Sequence, residues 1–221
     1  DALPISGYGF LSENPELAEI CARRGIKFIG PNADVIRQMG DKIEARKAMI
    51  AAGIPCTPGS DGNLDSLEDA VKLAKKIGYP VMLKATNGGG GRGIRRCNDE
   101  KELVGNYDRV ISEASKAFGK PEVFLEKCVV NPRHIEVQVI ADSHGNVIHL
   151  YERDCSIQRR NQKLIEIAPS PQLSEAQREY IGNLAVKAAK AVGYENAGTV
   201  EFLLDSDNTF YFMEIDRKSV V

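Results

Sequence analysis

The stretch KATNGGGGRGIR, at residues 84–95, decides how the rest of the chain is interpreted. Glycine loses more conformational entropy on folding than other residues and buries no side chain, so four consecutive glycines have no use in a core. They suit a place where the backbone approaches another group closely. The apolar residues just before them, at 79–85, predict a short strand that ends in Lys84 and Ala85.

A strand, a lysine, a glycine loop and an arginine together predict a phosphate-binding site. The backbone N–H groups of such a loop form an anion-binding concavity, and Lys84 and Arg92 add positive charge. The loop is not a Walker A motif, because in that motif the lysine follows the glycines. The alternatives are a flexible linker and an RGG-like RNA contact. The apolar strand beside the loop and its single Arg-Gly pair favour phosphate.

The composition indicates an ordinary globular protein. The 221 residues are 43% hydrophobic and 27% charged with a net charge of −2, which excludes a strong nucleic-acid-binding field. No apolar run is long enough to span a membrane, and no signal-peptide pattern opens the chain. The five cysteines are odd in number and widely spaced without a CxxC pair, so we expect reduced thiols in a cytoplasmic protein.

Both ends of the chain are expected to be foreign to the natural protein. The codons for residues 1–6 can spell a sequencing-library adapter, and its reverse complement encodes the residues from Asp216 to Val220. We therefore set aside residues 1–6 and 216–221 as adapter-derived ends. The natural sequence is then expected to run from about Gly7 to Glu214 or Ile215.

The remaining chain divides into four parts of mixed α/β character. Residues 7–38 are the C-terminal part of an N-terminal domain, and residues 39–56 are a linker helix. Residues 57–128 form a small lid-like domain that carries the glycine loop, and residues 129–215 are rich in strands. We expect a single helix from about Ala33 through Met49, with Lys42 within it; on helix position alone, the simplest interpretation of Lys42 is a solvated lysine.

A hairpin near the end of the chain carries two glutamates. The strands TVEFLL at 199–204 and TFYFME at 209–214 flank a polar turn. A symmetric closure places Glu201 opposite Phe212, so that Glu201 and Glu214 are diagonal neighbours about 7–8 Å apart on one face. Two carboxylates in apolar surroundings repel each other unless a cation joins them, which predicts Mg²⁺ shared with substrate phosphates. The alternative is two solvated glutamates at the rim.

Several motifs together resemble biotin carboxylase, the ATP-grasp component of biotin-dependent carboxylases. The resemblance covers nearly all of residues 7–214 and rests, besides the glycine loop, on GYGFLSEN at 7–14, FIGP at 28–31, MGDK at 39–42, PRHIEVQ at 132–138, ERDCSIQRR at 152–160 and AGTVEFL at 197–203. It implies an ATP-grasp fold that follows a partial Rossmann-like domain. It also implies that ATP and bicarbonate form carboxyphosphate, whose CO₂ passes to biotin.

The resemblance also implies roles for individual residues. Lys42 and Lys84 would hold ATP phosphates, Lys163 would face the phosphate and bicarbonate side, and Glu201 and Glu214 would bind Mg²⁺ or Mn²⁺. The remaining nucleotide-site residues would be Gly88, Gly89, Gly90, Gly91, Arg92 and Gly93 in the closing loop, Glu126 and Lys127 at the adenine, and His134 and Gln158. The implied partners are a biotin carboxyl carrier protein or domain, a carboxyltransferase and a second copy in a homodimer, with no nucleic acid or membrane.

This chain departs from the family pattern at Asn161, where many relatives have histidine. The Arg-x-Gln-Val-Glu run that supplies the family's bicarbonate-binding arginine and base does not occur in it. We therefore expect this polypeptide to bind MgATP at most and not to carboxylate biotin. The alternatives are another ATP-grasp carboxylate ligase and a non-catalytic ATP-binding module. These residues do not indicate which molecule finally accepts the carboxyl group.

Overall fold

The computed structural model describes residues 5–6, 11, 13–86, 93–119, 121–159 and 162–216. The N-terminal part places helix α1 (Pro15–Arg23) between two short parallel strands, β1 (Ile5–Ser6) and β2 (Phe28–Ile29). Asn14 caps α1, since its side chain accepts a hydrogen bond of 2.7 Å from the backbone N–H of Leu17. The adapter origin of residues 1–6 and 216–221 stays a prediction.

The single helix expected over residues 33–49 is wrong, because the chain forms two helices here. Helix α2 (Ala33–Gly40) ends before Asp41, which is extended, and helix α3 (Lys42–Ala51) begins after it. The Asp41 carboxylate accepts hydrogen bonds from two backbone N–H groups of α3, at 2.9 and 3.1 Å. A side-chain cap of this kind starts a new helix, and Gly40 is a weak helix former. Lys42 is therefore half-buried in the first turn of α3.

The middle of the chain is a small α/β unit. Its three strands form an antiparallel sheet in the order β4-β3-β5, and its two helices pack on one face of that sheet. Side chains alternate between buried and half-buried along β3, which leaves Lys84 on the face away from the core. The elements are α4 (Leu67–Ile77), β3 (Val81–Ala85), β4 (Ile94–Cys97), α5 (Glu100–Phe118) and β5 (Val123–Lys127).

The last part is a five-stranded antiparallel sheet in the order β10-β9-β6-β7-β8. Its apolar face packs against α6, and the core there includes Ile135, Val137, Phe202 and Phe210. The elements are β6 (Arg133–Ala141), β7 (Val147–Arg159), β8 (Gln162–Ile167), α6 (Glu175–Ala191), β9 (Asn196–Leu204) and β10 (Phe210–Asp216). Among the described residues, no helix has the length and apolar character needed to cross a bilayer.

The hairpin of β9 and β10 forms as predicted, but its register differs from the symmetric one. Phe212 pairs with Phe202, and the next paired residue of β10 is Glu214, which lies directly opposite Glu201. A β-bulge therefore falls at Met213, and the extra residue on β10 shifts the remaining pairs by one. The diagonal arrangement predicted for the two glutamates is wrong, because the bulge brings them into a direct cross-strand pair.

Candidate functional site

A row of four charged residues crosses the large sheet. Glu214 on β10 pairs with Glu201 on β9, which pairs with Glu136 on β6, which pairs with Arg153 on β7. Directly opposite residues point to the same face of a sheet, so this row lies on the face that α6 does not cover. Three neighbouring carboxylates on one face repel each other, and cations are needed to keep them together.

Lys163, on β8, supplies one of these cations. Its ammonium donates hydrogen bonds to Oε2 of Glu136 and, at 2.7 Å, to Oε1 of Glu201. The Glu136 side chain is completely buried, and the Glu201 side chain is 3% exposed. Buried charges of this kind are stable only when they are paired and hydrogen-bonded. Lys163 therefore connects β6 and β9, because it pairs with two buried carboxylates whose burial would otherwise be energetically unfavourable.

The pKa values of Lys163 and Glu201 follow from this pairing. Burial lowers the pKa of Lys163, but the two carboxylates outweigh burial and raise it above its ordinary value. Burial raises the pKa of Glu201, but His134 and Lys163 together lower it below its ordinary value. Both groups are therefore charged at neutral pH.

His134 and Gln158 complete this end of the site. His134 Nε2 lies 2.8 Å from Oε2 of Glu201. On the other side of the ring, Gln158 Nε2 is 2.9 Å from Nδ1 of His134, and it also donates to the carbonyl of Cys155 at 2.8 Å. The structure thus brings together four of the residues that the sequence analysis assigned to a site, His134, Gln158, Lys163 and Glu201.

A second group of predicted residues meets beside Glu214. Burial lowers the pKa of Lys42, and the charges of Glu214, Lys84 and Glu126 also affect this pKa. The Lys84 ammonium hydrogen-bonds to Oε1 of Glu126, whose other oxygen accepts from the Thr57 hydroxyl at 3.2 Å. Lys42 thus lies within electrostatic range of both the Lys84–Glu126 pair and Glu214 of the carboxylate hairpin. This arrangement can bind a polyphosphate through the lysines and a cation through the carboxylates.

Two other residues that were predicted for the site, Lys127 and Gly93, make contacts outside these two groups. The Lys127 ammonium donates to the backbone carbonyls of Gly78 and Tyr79, at 2.9 and 3.0 Å, and so closes the turn that leads into β3. Gly93 has a φ of +68°, and a Cβ there would lie 2.8 Å from that of Ala85. This position therefore requires glycine. The other loop residues predicted for the site, Gly88, Gly89, Gly90, Gly91 and Arg92, lie outside the described residues.

Two further residues belong to the site by geometry, although the sequence did not single them out as site residues. Glu136 bridges Lys163 and Arg153, and Arg153 Nε donates to it at 2.6 Å. The period-two pattern of β6 places Glu136 on the same face as His134, which is the signal that could have found it. No comparable signal pointed to Arg153, because its position depends on pairing between β6 and β7.

The donor set fits a hard divalent cation. Glu201 and Glu214 are paired across two strands, and oxygen atoms of Glu136 and Glu201 lie within 4.8 Å of each other and of a nitrogen of His134. Carboxylates are the protein ligands that Mg²⁺ prefers, usually together with substrate phosphates. The neighbouring lysines would favour a ligand that brings phosphate oxygens and the cation together.

Comparison with known proteins assigns the chain to a family. Residues 41–220 match the family model of the carbamoyl-phosphate synthase L chain, ATP-binding domain, and residues 3–36 match that of the biotin carboxylase N-terminal domain. The 2-oxoglutarate carboxylase small subunit of Hydrogenobacter thermophilus is 58% identical over 96% of this chain and 45% of its own length. Biotin carboxylase of Nostoc is 55% identical over 96% of this chain and 47% of its own length.

Solved structures show the same similarity. The biotin carboxylase domain dimer of Hydrogenobacter thermophilus 2-oxoglutarate carboxylase, in complex with MgADP, ADP and bicarbonate, has a TM-score of 0.92 at 57% identity and is covered over 48% of its length. A biotin carboxylase complex with β-γ-ATP from Campylobacter jejuni has a TM-score of 0.94 at 55% identity and is covered over 49%. Both comparisons cover 99% of this chain.

The chain thus spans about half the length of the curated relatives it matches. The predicted ATP-grasp fold, preceded by part of an N-terminal domain, is confirmed by these matches. The chain belongs to the family of the carbamoyl-phosphate synthase L chain ATP-binding domain and, within it, to the biotin carboxylases.

Proposed function

We propose that this chain binds MgATP, and that the longer protein uses it to carboxylate biotin with bicarbonate through carboxyphosphate. The observation that carries this proposal is the place of Lys42, which lies within electrostatic range of the Lys84–Glu126 pair and of Glu214, the residue opposite Glu201. Phosphates and a divalent cation together satisfy the positive and the negative charges of this arrangement. The bound nucleotide and bicarbonate of the relatives' structures support the same ligands.

Each predicted residue has a place in this proposal. Lys42 and Lys84 hold ATP phosphates, and Glu201 and Glu214 hold Mg²⁺ or Mn²⁺. Lys163 faces the phosphate and bicarbonate side. The adenine lies beside the strand that carries Glu126 and Lys127, His134 and Gln158 line the nucleotide site, and the glycine loop at 88–93 closes over the phosphates. The protein then acts by holding the reactants and neutralising charge on the transferred phosphoryl group.

The partners follow from the same proposal. The biotin that accepts the carboxyl group is presented by a carrier protein or domain, and a carboxyltransferase passes the carboxyl group on. The relative from Hydrogenobacter thermophilus is a domain dimer, which supports a homodimer of the longer protein. The cysteines described in the structure are all unpaired thiols, in keeping with a cytoplasmic location.

Two single variants of lysines on helix α3 test the proposal. In the longer protein we expect bicarbonate- and biotin-dependent release of phosphate from ATP, and Lys42→Met should reduce its rate at least about tenfold, the effect of losing one charge-assisted hydrogen bond. Lys47→Met is the matched control, since Lys47 lies on the same helix and pairs with Glu44 in solvent at 2.9 Å. Phosphate release that does not depend on biotin, or equal losses in both variants, would contradict the proposal.

A further inference from the structure

The guanidinium group of Arg153 makes hydrogen bonds to several polar side chains. Its guanidinium donates from Nε to Glu136 at 2.6 Å, from Nη1 to Gln138 at 3.1 Å and from Nη2 to Thr199 at 3.4 Å. These three partners lie on β6 and β9, the two central strands that carry Glu136 and Glu201. The planar fork of arginine can hold several acceptors in fixed directions, which an ammonium group cannot do.

The two oxygens of Glu136 are divided between two cations. Oε1 accepts from Arg153, and Oε2 accepts from Lys163. Because Glu136 is completely buried, its carboxylate has no water to turn toward. In this orientation Arg153 holds one oxygen of the carboxylate, and the other oxygen lies where the Lys163 ammonium also reaches Glu201.

The strand that carries Arg153 is itself held in register from its other face. Glu152 accepts from Arg178 at 2.9 Å and from the backbone N–H of Ser170 at 2.9 Å, while Asp154 accepts from Arg133 at 2.8 Å. Both acids are buried. Alternation along a strand then directs Arg153, which lies between them, to the opposite face.

We propose that Arg153 is a positioning residue for Lys163: by fixing Glu136 through its guanidinium fork, it keeps the Lys163 ammonium shared between Glu136 and Glu201. Without the fork, both oxygens of the buried Glu136 compete for Lys163, and the lysine is drawn away from Glu201. In this proposal Arg153 acts through Glu136. The consequence for nucleotide binding rests on the proposed function, whereas the effect on Lys163 does not.

A conservative pair of variants separates this role from general support of the fold. Arg153→Lys keeps the charge and removes the fork. Arg178→Lys is the matched control, because both arginine side chains are 20% exposed and both hydrogen-bond to a buried glutamate, but Arg178 lies on the other face of the sheet. Urea unfolding of both variants reports any shared loss of stability.

The first measurement is hydrogen exchange of the Lys163 ammonium, followed by NMR of the ¹⁵N-lysine-labelled chain without nucleotide and assigned by the loss of its signal in Lys163→Met. We expect Arg153→Lys to speed this exchange by about tenfold, the size for one lost hydrogen bond to a charged group. Arg178→Lys should leave the exchange unchanged. Equal exchange rates in Arg153→Lys and the unaltered chain, or equal acceleration in both variants, would overturn the proposal.

The second measurement is the affinity for MgATP in a double-mutant cycle. Arg153→Lys should weaken binding when Lys163 is present and have no further effect in the Lys163→Met background, because its influence passes through that lysine. Additive effects would overturn the positioning role while leaving MgATP binding established. If the unaltered chain binds no MgATP, the proposed function fails, and the exchange measurement still decides the role of Arg153.

Discussion

Replacement of Lys163 by methionine tests whether the buried carboxylates depend on its charge. The change removes the ammonium that bridges Glu136 and Glu201, both of which are almost completely buried. Removing one partner of a buried ion pair typically lowers the free energy of unfolding by 3–5 kcal/mol. Here Arg153 still contacts Glu136 and His134 still contacts Glu201, so we expect a loss near the lower end, about 3 kcal/mol.

The loss is measured by urea unfolding followed by far-ultraviolet circular dichroism, because the chain contains no tryptophan. The matched control is Lys72→Met, which removes an ion pair with Glu68 whose side chains are 68% and 78% exposed. Exposed pairs of this kind contribute about 0.5 kcal/mol or less. Equal losses of unfolding free energy in the two variants would refute the view that Lys163 neutralises buried charge.

The pH dependence of the unfolding free energy gives a second test of the role of Lys163. The pKa of Glu201 is lower in the folded chain than in the unfolded chain, so its ionisation stabilises the protein at neutral pH and this contribution disappears as the pH falls through the folded value. Without Lys163, only His134 still opposes the effect of burial, so the pKa of Glu201 is higher than in the unaltered chain and the group takes up a proton more readily. The deficit of Lys163→Met should therefore narrow as the pH falls from 7 toward the range in which Glu201 takes up its proton. A deficit that stays constant or widens would contradict this explanation.

Three further predictions concern the phosphate end of the site and its surroundings. Asp41→Ala should lower the free energy of unfolding by about 1 kcal/mol through loss of the helix cap, and should weaken ATP binding because the first turn of α3 carries Lys42; calorimetry measures both. Lys84→Met should weaken ADP binding at least about tenfold, since it removes a cation that is proposed to hold phosphate, and unchanged binding would count against that role. Burial raises the pKa of Cys56 to about 11 from 9.0, so at pH 8 iodoacetamide should alkylate it roughly a hundredfold more slowly in the folded than in the urea-unfolded chain; equal rates would show that the thiol is accessible and ionised normally.

Local sequence patterns predicted the strand before the glycine loop and the hairpin of β9 and β10, because each has its own signal. Asn14 and Ser174 cap α1 and α6, and Ser174 forms a capping box with Gln177, which is a local pattern of the sequence. The prediction of a single helix over residues 33–49 was wrong because it overlooked another local signal. Its apolar periodicity runs through Asp41, whereas the carboxylate of that residue stops one helix and starts the next.

The site was less predictable, because its geometry depends on pairing between strands that are distant in the sequence. The side chains of Glu201 and Glu214 were expected together, but the bulge at Met213 cannot be read from a hydrophobic pattern. Arg153 becomes part of the site only through the β6–β7 register, which places it opposite Glu136. The resemblance to biotin carboxylase named the individual residues that are proposed to bind ligands, and the chain's own patterns explained why lysines and two carboxylates would be needed.

The most direct test of the account is isothermal titration of the 221-residue chain with ATP, in the presence and absence of Mg²⁺. We predict binding that requires Mg²⁺ and that Glu201→Gln weakens at least about tenfold, because a neutral amide replaces a charged metal ligand. Lys72→Met, which lies on the solvent-exposed surface, should bind as the unaltered chain does. ATP binding that is indifferent to Mg²⁺ and to Glu201→Gln, or absent altogether, would contradict the proposed MgATP site.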